Sequence, residues 1–505
     1  MKLNTVKSSL KSIKTDLFAI VVEPKEITGK TKSTKQPGTI NLKELGNFLD
    51  IDFTKLAQAE GFSASSESTL LINFTGNKKI PRVLLLSAAK EELTNFELIE
   101  YYRNLGASLS SAAKPKLKKI VLSGNNLQLN DFQNCQAFVE GFELAKYKYD
   151  KYKSSKPKSS STIDTLAVLQ SKKIPAKAVS MAKVFSNGTK LARDLVNMPA
   201  ADCDPSYLVS VCRSLARKKG LKIQVLDRQR LKKMKAFSLL SVAEGSEKPP
   251  YLIKLTYKPK NKRAKVISIV GKGITFDTGG NSIKPGAGMM DMKMDMSGAA
   301  AVIGAMEVMA SLKPKHEIRA YIPTCENMVS GRATRPGDIV KAMNGKSIEV
   351  LNTDAEGRLI LADALCLAEK DGANVIIDLA TLTGACVVAL GTDYAGLYSS
   401  KQEIAEDLIN AGELAGERLW HMPLAPEYKS LLSSYIADMK NIGGSFGGSI
   451  TAALFLNNFI DKTPWAHIDI AGPAFRSSGD SGYLKKGGVG FGVRTLANYI
   501  LNYSS

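Results

Sequence analysis

Histidine and tryptophan are scarce in this sequence, with three and two residues respectively in a chain of 505. The three histidines, His316, His421 and His467, stand outside the acidic and glycine-rich segments described below. A zinc site built from several histidines is therefore excluded, and we expect these three residues to have structural roles.

Long apolar runs are also missing. No stretch approaches the roughly 20 consecutive apolar residues of a membrane-spanning helix, so a membrane protein is excluded. The first apolar run, residues 17–22, is too short for a secretory signal peptide. The six cysteines include no C-x-x-C pair. We therefore expect them to be reduced core residues of a cytoplasmic protein.

Negative charge is short in the first part of the chain. Residues 1–300 carry 51 Lys and Arg but only 26 Asp and Glu, whereas residues 301–505 carry 18 and 22. Excess positive charge is compatible with binding nucleic acid or an acidic partner. The lysines are spread out, without the interleaved aromatic residues typical of single-strand binders. The alternative is a lysine-rich surface that has no such role.

A chain of this length is expected to form more than one domain. Strand-like and helix-like segments alternate, which predicts an α/β fold of two domains, each with a mostly parallel or mixed sheet flanked by helices. The predicted divisions are an N-terminal domain over 1–170, a connecting helix over 171–195 and a larger C-terminal domain over 196–505. The Ser- and Lys-rich stretch 151–162 is interpreted as a linker or an exposed loop.

Two carboxylates stand close together in the stretch 350–361, V-L-N-T-D-A-E-G-R-L-I-L. Asp354 and Glu356 follow a strand-like run, and side chains two residues apart point the same way in an extended backbone. Two negative charges at one place are costly unless a cation lies between them. Arg358 follows where a helix begins. The alternative is a capping aspartate followed by a solvated glutamate.

A second charged segment, residues 266–300, begins with an apolar, β-branched run and continues with seven glycines. These glycines predict tight turns and close approach of the backbone. Such turns would gather Lys272, Asp277, Lys284, Asp291 and Asp295 around one centre. Since ligands bind at the carboxyl ends of strands in parallel α/β sheets, a binding site is expected there.

Oxygen ligands dominate the two segments, in the side chains of Asp277, Asp295, Asp354 and Glu356. Four carboxylates can hold two divalent cations about 3.5–4 Å apart. Mn²⁺ and Mg²⁺ suit such ligands, although Zn²⁺ binds as well or better by intrinsic affinity. From the chemistry alone, Lys272 is interpreted as a counter-ion.

The stretches V-G-K-G-I-T-F-D-T-G-G, M-K-M-D-M-S-G-A-A and N-T-D-A-E-G-R-L resemble the signature of the leucyl aminopeptidase family of dinuclear metallopeptidases. The resemblance continues through G-R-A-T-R-P-G-D, A-T-L-T-G-A and W-A-H-I-D-I-A-G, and it implies that the C-terminal domain is catalytic. The metal ligands that it implies are Lys272 (as a neutral amine), Asp277, Asp295, Asp354 and Glu356, with Asp277 and Glu356 bridging.

The resemblance implies release of N-terminal amino acids, preferably leucine and other apolar residues, from peptides with a free N-terminus. Two divalent ions, Mn²⁺ or Zn²⁺ or else Mg²⁺, would activate a bridging water molecule. Lys284 and Arg358 match the two catalytic positions. Lys284 would donate to the developing oxyanion, and Arg358 would hold a bicarbonate ion that shuttles the proton.

The same resemblance implies a pocket for the first side chain of the substrate, lined by Met292, Thr381, Gly384 and Ala471. It also implies a homohexamer.

Three other functions are weighed against this one. A DNA-binding architectural protein is motivated by the basic front part, and a dinuclear phosphoesterase by the carboxylates. Nucleotide binding through Gly271 and Gly273 is weak, because Phe276 stands where G-x-G-x-x-G needs its third glycine.

Overall fold

We describe the protein from a computed structural model. The structure describes residues 2–28, 38–65, 68–74, 77, 79–90, 92–113, 117–155, 163–261 and 263–503. The stretch interpreted as a linker lies outside these ranges at residues 156–162.

The chain forms two compact units. One comprises Met1–Ser186 together with Asp480–Lys485, and the other comprises Asn187–Gly479 together with Lys486–Ser505. The predicted divisions at 170 and 195 stay a prediction.

The smaller unit alternates strands and helices. Its elements are β1 (Lys2–Val6), β2 (Leu17–Val22), α1 (Pro24–Thr28), α2 (Leu42–Leu49), α3 (Phe53–Ala59), β3 (Thr69–Asn73), β4 (Arg82–Ser87), α4 (Asn95–Ala112), β5 (Lys119–Gly124), α5 (Phe132–Ala145) and β6 (Thr165–Leu169), followed by the first part of α6 (Ala176–Asn197).

These six strands form one sheet in the order β1-β6-β5-β2-β4-β3. All neighbours are parallel except β3, which runs antiparallel to β4. Every residue of β2, L-F-A-I-V-V, is buried, as expected for the central strand of a parallel sheet. Helix α4 begins with a capping box in which Thr94 and Glu97 satisfy each other's backbone N–H groups.

The larger unit has more elements. Its helices are α7 (Pro205–Lys219), α8 (Arg228–Lys233), α9 (Phe237–Ala243), α10 (Gly286–Met289), α11 (Ser297–Leu312), α12 (Glu356–Lys370), α13 (Gly384–Leu390), α14 (Gln402–Ala415), α15 (Gly448–Asn457) and α16 (Val493–Asn502). Its strands are β7 (Lys222–Leu226), β8 (Tyr251–Tyr257), β9 (Val266–Gly271), β10 (Gly273–Asp277), β11 (Glu317–Asn327), β12 (Asp338–Lys341), β13 (Ser347–Val350), β14 (Val375–Ala380), β15 (Tyr394–Ser399), β16 (Arg418–His421), β17 (Met439–Lys440), β18 (Trp465–Asp469), β19 (Phe475–Arg476) and β20 (Gly487–Gly488).

The main sheet of this unit has the order β16-β15-β18-β14-β9-β11-β8-β7, with β10 paired to β11. Its centre, β18-β14-β9-β11, is parallel, whereas β8 runs antiparallel to β11. The predicted α/β fold of two sheets flanked by helices is confirmed. A separate small sheet, β12-β13-β17, carries the strand that precedes the acidic segment.

Two helices of the larger unit are buried along most of their length. Ser297–Met306 of α11 and Glu356–Ala368 of α12 are all buried, which is typical of helices inside a large core. A Cβ atom on Gly304 would lie 2.6 Å from the carbonyl oxygen of Gly188. Glycine is therefore needed where α6 and α11 approach each other.

All six cysteines are buried and none forms a disulfide, as predicted. Within the described residues, no helix combines the length and the apolar character that crossing a membrane requires.

Candidate metal centre

Three carboxylates from two segments of the chain meet in the larger unit. Asp277 ends β10, Asp354 lies in the loop after β13, and Glu356 begins α12. One oxygen from each lies within 4.8 Å of the others. Asp277 and Glu356 are buried, at 2% and 3% exposure, so water cannot screen their mutual repulsion well. This is the convergence that the sequence predicts.

Lys272 and Asp295 complete the buried side of the cluster. The Nζ of Lys272, the residue after β9, lies 2.8 Å from Asp295 Oδ1 and 2.7 Å from Glu356 Oε1. It also donates a hydrogen bond of 2.7 Å to the carbonyl oxygen of Thr381. A Cβ atom on Gly357 would lie 2.6 Å from Lys272 Cε. The glycine of N-T-D-A-E-G-R-L therefore makes room for this lysine.

Lys284 lies on the more open side of the cluster and is 18% exposed. Its Nζ is 2.9 Å from Asp277 Oδ2 and 2.5 Å from Asp354 Oδ1. The turn before it needs Gly279, whose φ of +85° lies in the left-handed region. The backbone N–H of Lys284 returns to the carbonyl oxygen of Thr278 at 2.9 Å, which fixes where the side chain starts.

The electrostatics of the cluster reflect the crowding of like charges. Burial and the charge of Glu356 raise the pKa of Asp277, and burial also raises the pKa of Asp295 and Asp354. Burial would lower the pKa of Lys272, but Asp295 and Glu356 raise it above its ordinary value. The two lysines thus act as the cations of the cluster.

The residues of the cluster fit divalent cations. Asp295 Oδ2 is buried and has no hydrogen-bond partner among the described residues, an arrangement that is costly unless a further group binds that oxygen. The oxygens are hard ligands of the kind that Mn²⁺ and Mg²⁺ prefer. Lys272 can act as a ligand only after losing its proton, which a nearby cation promotes.

Arg358 lies in the first turn of α12 and is buried. Its Nη1 donates to the carbonyl oxygen of Asn441 at 2.8 Å, while its Nε has no hydrogen-bond partner in the described part of the chain. Burial lowers the pKa of Arg358 to about 10. Among the described residues, the guanidinium of Arg358 forms no ion pair.

The four residues that are expected to line the substrate pocket lie in different segments of the larger unit. Thr381 is part of the cluster, since its hydroxyl donates to Asp295 Oδ1 at 2.7 Å. Met292 begins the short 3₁₀ helix Met292–Met294 that precedes Asp295. Gly384 begins α13, where a Cβ atom would meet no atom within 4 Å. The backbone N–H of Ala471 donates to the carboxylate of Asp469.

Asp469 links the segments that contain Leu382, Thr383 and Ala471. Its role was not predicted from the sequence. Its Oδ1 accepts from the N–H groups of Leu382 and Ala471, both at 3.1 Å, and its Oδ2 accepts from the hydroxyl of Thr383 at 2.6 Å. Its position at the end of β18, beside β14, could have indicated this role.

Two asparagines were also missed. Asn327 donates to Asp277 Oδ1 at 2.7 Å and to the carbonyl oxygen of Thr353 at 3.0 Å. Asn441 accepts from the N–H of Leu351 at 2.9 Å. Such partners orient the ligands of metal sites. No pattern in the sequence singles them out, because both lie outside the motifs.

His467 and His316 have partners outside the carboxylate cluster of Asp277, Asp354 and Glu356. His467 Nδ1 lies 2.6 Å from Asp378 Oδ1, and the indole N–H of Trp465 donates to Asp378 Oδ2 at 2.7 Å. His316 Nε2 lies 3.1 Å from the carbonyl oxygen of Tyr503. These contacts agree with the structural roles expected of the two residues.

Family models match both parts of the chain. Residues 190–497 match the catalytic domain of the cytosol aminopeptidase family, and residues 41–156 match the N-terminal domain of the same family.

Curated relatives match over almost the whole length. A probable cytosol aminopeptidase of Alkaliphilus oremlandii is 41% identical over 504 residues, which are 99% of each chain. One from Solibacter usitatus is 44% identical over 456 residues, which are 89% of this chain and 92% of the relative.

Solved structures agree. A tomato leucine aminopeptidase mutant has a TM-score of 0.88 and 34% identity, covering 100% of this chain and 97% of the other. The bottromycin maturation enzyme BotP in complex with Mn has a TM-score of 0.82 and 31% identity, covering 96% of this chain and 99% of the other.

Proposed function

Since the chain belongs to the cytosol aminopeptidase family and is a peptide hydrolase, we propose that it releases leucine and other apolar residues from the N-terminus of peptides, using a dinuclear metal centre. The observation that supports the proposal most is the convergence of Asp277, Asp354 and Glu356. Three acids held this close repel one another, and divalent cations bound between them would offset that repulsion.

The proposed ligands are Lys272, Asp277, Asp295, Asp354 and Glu356. The cations are two Mn²⁺ or Zn²⁺, or else Mg²⁺, and the relative BotP has been solved in complex with Mn. When bound, the pair of cations polarises the scissile carbonyl group and lowers the pKa of a water molecule shared between them.

Lys284 is proposed to donate a hydrogen bond to the carbonyl oxygen of the substrate as negative charge develops on it. Burial would lower the pKa of Lys284, but the nearby Asp277 and Asp354 raise it, so the amine stays protonated. Electrostatic help of this kind matters most where charge develops during the reaction. The partial exposure of Lys284 leaves this side of the cluster open to a substrate.

Arg358 is proposed to hold a bicarbonate ion that moves a proton from the attacking water molecule to the leaving amine. The buried guanidinium, with an Nε that lacks a hydrogen-bond partner among the described residues, supports an anion at this point. Water adds to the carbonyl carbon, the C–N bond breaks, and the departing nitrogen receives the proton.

Selection of the substrate has two proposed parts. A free α-amine is required at the metal centre, so peptides with blocked N-termini are not cleaved. Met292, Thr381, Gly384 and Ala471 are proposed to line the pocket for the first side chain. A Cβ atom on Gly384 would meet no atom within 4 Å, which leaves room for a substrate side chain beside it.

Three further properties are proposed with separate support. The relatives named cytosol aminopeptidases support a cytoplasmic protein. The family resemblance supports a homohexamer, which light scattering tests. The excess of 51 basic over 26 acidic residues in residues 1–300 supports DNA binding, which a mobility shift across a salt series tests, since binding through phosphates weakens steeply with salt.

Hydrolysis of leucyl-p-nitroanilide tests the main proposal. The purified protein should release p-nitroaniline, should be stimulated by Mn²⁺ and should lose activity with a chelator. The matched control substrate is N-acetyl-leucyl-p-nitroanilide, which should remain intact. A metal-loaded protein that is inert on every free-amine peptide, or one that cleaves both substrates equally, contradicts the proposal.

A further inference from the structure

The smaller unit has a cleft at the carboxyl end of its sheet, with a volume of about 510 Å³. This volume lies within the ~300–1,000 Å³ that is usual for small-molecule sites. The loops after β2, β4 and β5 and the first turns of α4 form its walls. Its polar lining includes Glu23, Lys25, Lys90, Tyr101, Tyr102 and Asn126; we call it the switch-point cleft.

The topology explains why a cleft forms there. Strand β2 lies between β4 and β5, and all three are parallel. Val21 of β2 pairs with Leu86 on one side and Gly124 on the other, so the three strands end at the same level. The chain runs from β2 to β4 on one side and then returns through α4 to β5 on the other. This reversal leaves a crevice, the usual ligand position in open α/β sheets.

The polar groups of the cleft are held in place before any ligand binds. Asn126 Nδ2 donates to Glu23 Oε1 at 2.7 Å, and Lys25 Nζ lies 2.9 Å from Glu23 Oε2. The phenol oxygen of Tyr102 accepts from the N–H of Gln128 at 2.8 Å. Groups fixed in this way cost little conformational entropy on binding.

The apolar and charged parts of the lining lie beside these groups. Tyr101 and Tyr102 are in edge contact, with ring centroids 5.3 Å apart, and Val21 and Leu127 add buried apolar surface. Lys90 is exposed at the rim. Lys25, Lys90 and Glu23 together carry one net positive charge, which favours an anionic ligand.

We propose that the switch-point cleft binds a nucleoside monophosphate. The apolar lining and the ring of Tyr101 contact the base, the amide and carboxylate of Asn126 and Glu23 meet its polar edge, and Lys25 and Lys90 neutralise the phosphate. Binding of this ligand is independent of the proposed peptidase chemistry, since every residue of the cleft belongs to the smaller unit.

Isothermal titration of the full-length, metal-loaded protein with adenosine monophosphate tests this proposal. Binding with one site per chain is expected. Ala89 lines the cleft, so Ala89→Trp should fill it and abolish binding. Lys90→Glu, at an exposed position that tolerates substitution, should weaken binding by about tenfold or more through charge reversal. The matched control is Lys119→Glu, an exposed lysine at the opposite end of β5, and it should leave the affinity unchanged.

Adenosine and inorganic phosphate form separate arms of the titration. Both should bind more weakly than adenosine monophosphate, since each retains only part of the contacts. Unchanged hydrolysis of leucyl-p-nitroanilide by Ala89→Trp shows that this variant is folded. No binding to the wild-type protein overturns the proposal, as do equal affinities in wild type, Ala89→Trp and Lys90→Glu. Phosphate binding as tight as that of the nucleotide also overturns it.

Discussion

Acidic side chains in the larger unit are held in two contrasting ways. Glu417 is 2% exposed, and both of its oxygens accept hydrogen bonds: Oε2 from the N–H groups of Gly492 and Thr495 and the hydroxyl of Thr495, and Oε1 from Arg494 Nε. Asp277, Asp354 and Glu356 instead crowd together within 4.8 Å, next to Asp295 with its unpartnered Oδ2.

The difference separates stability from function. A single buried carboxylate that is paired with one arginine and with backbone N–H groups stabilises the segments that it joins. In the metal centre four carboxylates face only two lysines, so repulsion between the acids remains until a divalent cation binds, and this arrangement favours function over stability. Changes in the metal centre should therefore abolish activity while sparing the fold, and changes at Glu417 should do the reverse.

The largest effect is expected from Glu356→Ala. This change removes a proposed bridging ligand, so bound metal and leucyl-p-nitroanilide hydrolysis should fall together, the latter by at least about a thousandfold. The metal is measured by mass spectrometry and the activity as kcat/KM. Glu369→Ala, near the other end of α12, is the matched control and should keep both. Wild-type metal content and activity in Glu356→Ala would contradict the functional role assigned to the carboxylate cluster.

Lys284→Ala should keep its metal but lower kcat by about 10²–10³-fold, the range found for the loss of one donor to a developing oxyanion. Steady-state kinetics and metal analysis of the same preparation measure both. Lys284→Arg, which retains the charge, should recover part of the loss. Unchanged turnover in Lys284→Ala would remove its assigned role.

Glu417→Ala tests the other side of the comparison. Removing Glu417 takes an ion-pair partner from Arg494 and the acceptor from the buried N–H groups of Gly492 and Thr495, which should lower the free energy of unfolding by about 3 kcal/mol. Urea unfolding measures this, with exposed Glu406 on α14 changed to Ala as the control. Metal content and kcat per folded molecule should stay at the wild-type values. A folded but inactive variant would assign Glu417 to the catalytic machinery.

The last effect depends on pH and concerns Asp363, a buried acid on the same helix as Glu356. Burial raises its pKa to about 7 from an ordinary 3.8, against hydrogen bonds from the N–H groups of Leu239 and Met343. The native state therefore binds this proton more tightly than the unfolded chain. Its contribution to the unfolding free energy falls as pH rises from about 3.8 to about 7, by at most about 1.4 kcal/mol per pH unit.

Urea unfolding of wild type and Asp363→Asn between pH 4 and 8 measures this contribution. The difference between the two proteins isolates Asp363 from the other titrating groups. A constant difference across this range would show that Asp363 stays charged when buried.

The sequence predicted the two-sheet α/β fold and the segments that carry the cluster. The spacing of Asp354 and Glu356 suggested a shared site but left a capping role open, and the upstream glycine-rich run, with Lys272, Asp277, Lys284 and Asp295, favoured the shared site. The roles of Lys272 as ligand and of Arg358 came from the family resemblance. Spacing cannot tell a ligand amine from a counter-ion.

Other features depend on tertiary contacts that spacing does not contain. The glycine-rich run was expected to form turns, yet Gly273–Asp277 of it forms β10, because β11 extends far enough to pair with it. Asn327, Asn441 and Asp469 act through hydrogen bonds to distant segments, which leave no periodic pattern in the sequence. The switch-point cleft results from the strand order of the smaller unit, and no sequence motif in the N-terminal part indicates it.

A crystal structure of the Mn²⁺-soaked protein, with anomalous scattering recorded near the manganese edge, tests the central claim most directly. We expect two anomalous peaks per chain, both bounded by the side chains of Asp277, Asp295, Asp354 and Glu356. An active crystal form with no peak at these carboxylates, or with its manganese bound elsewhere in the chain, would contradict the account.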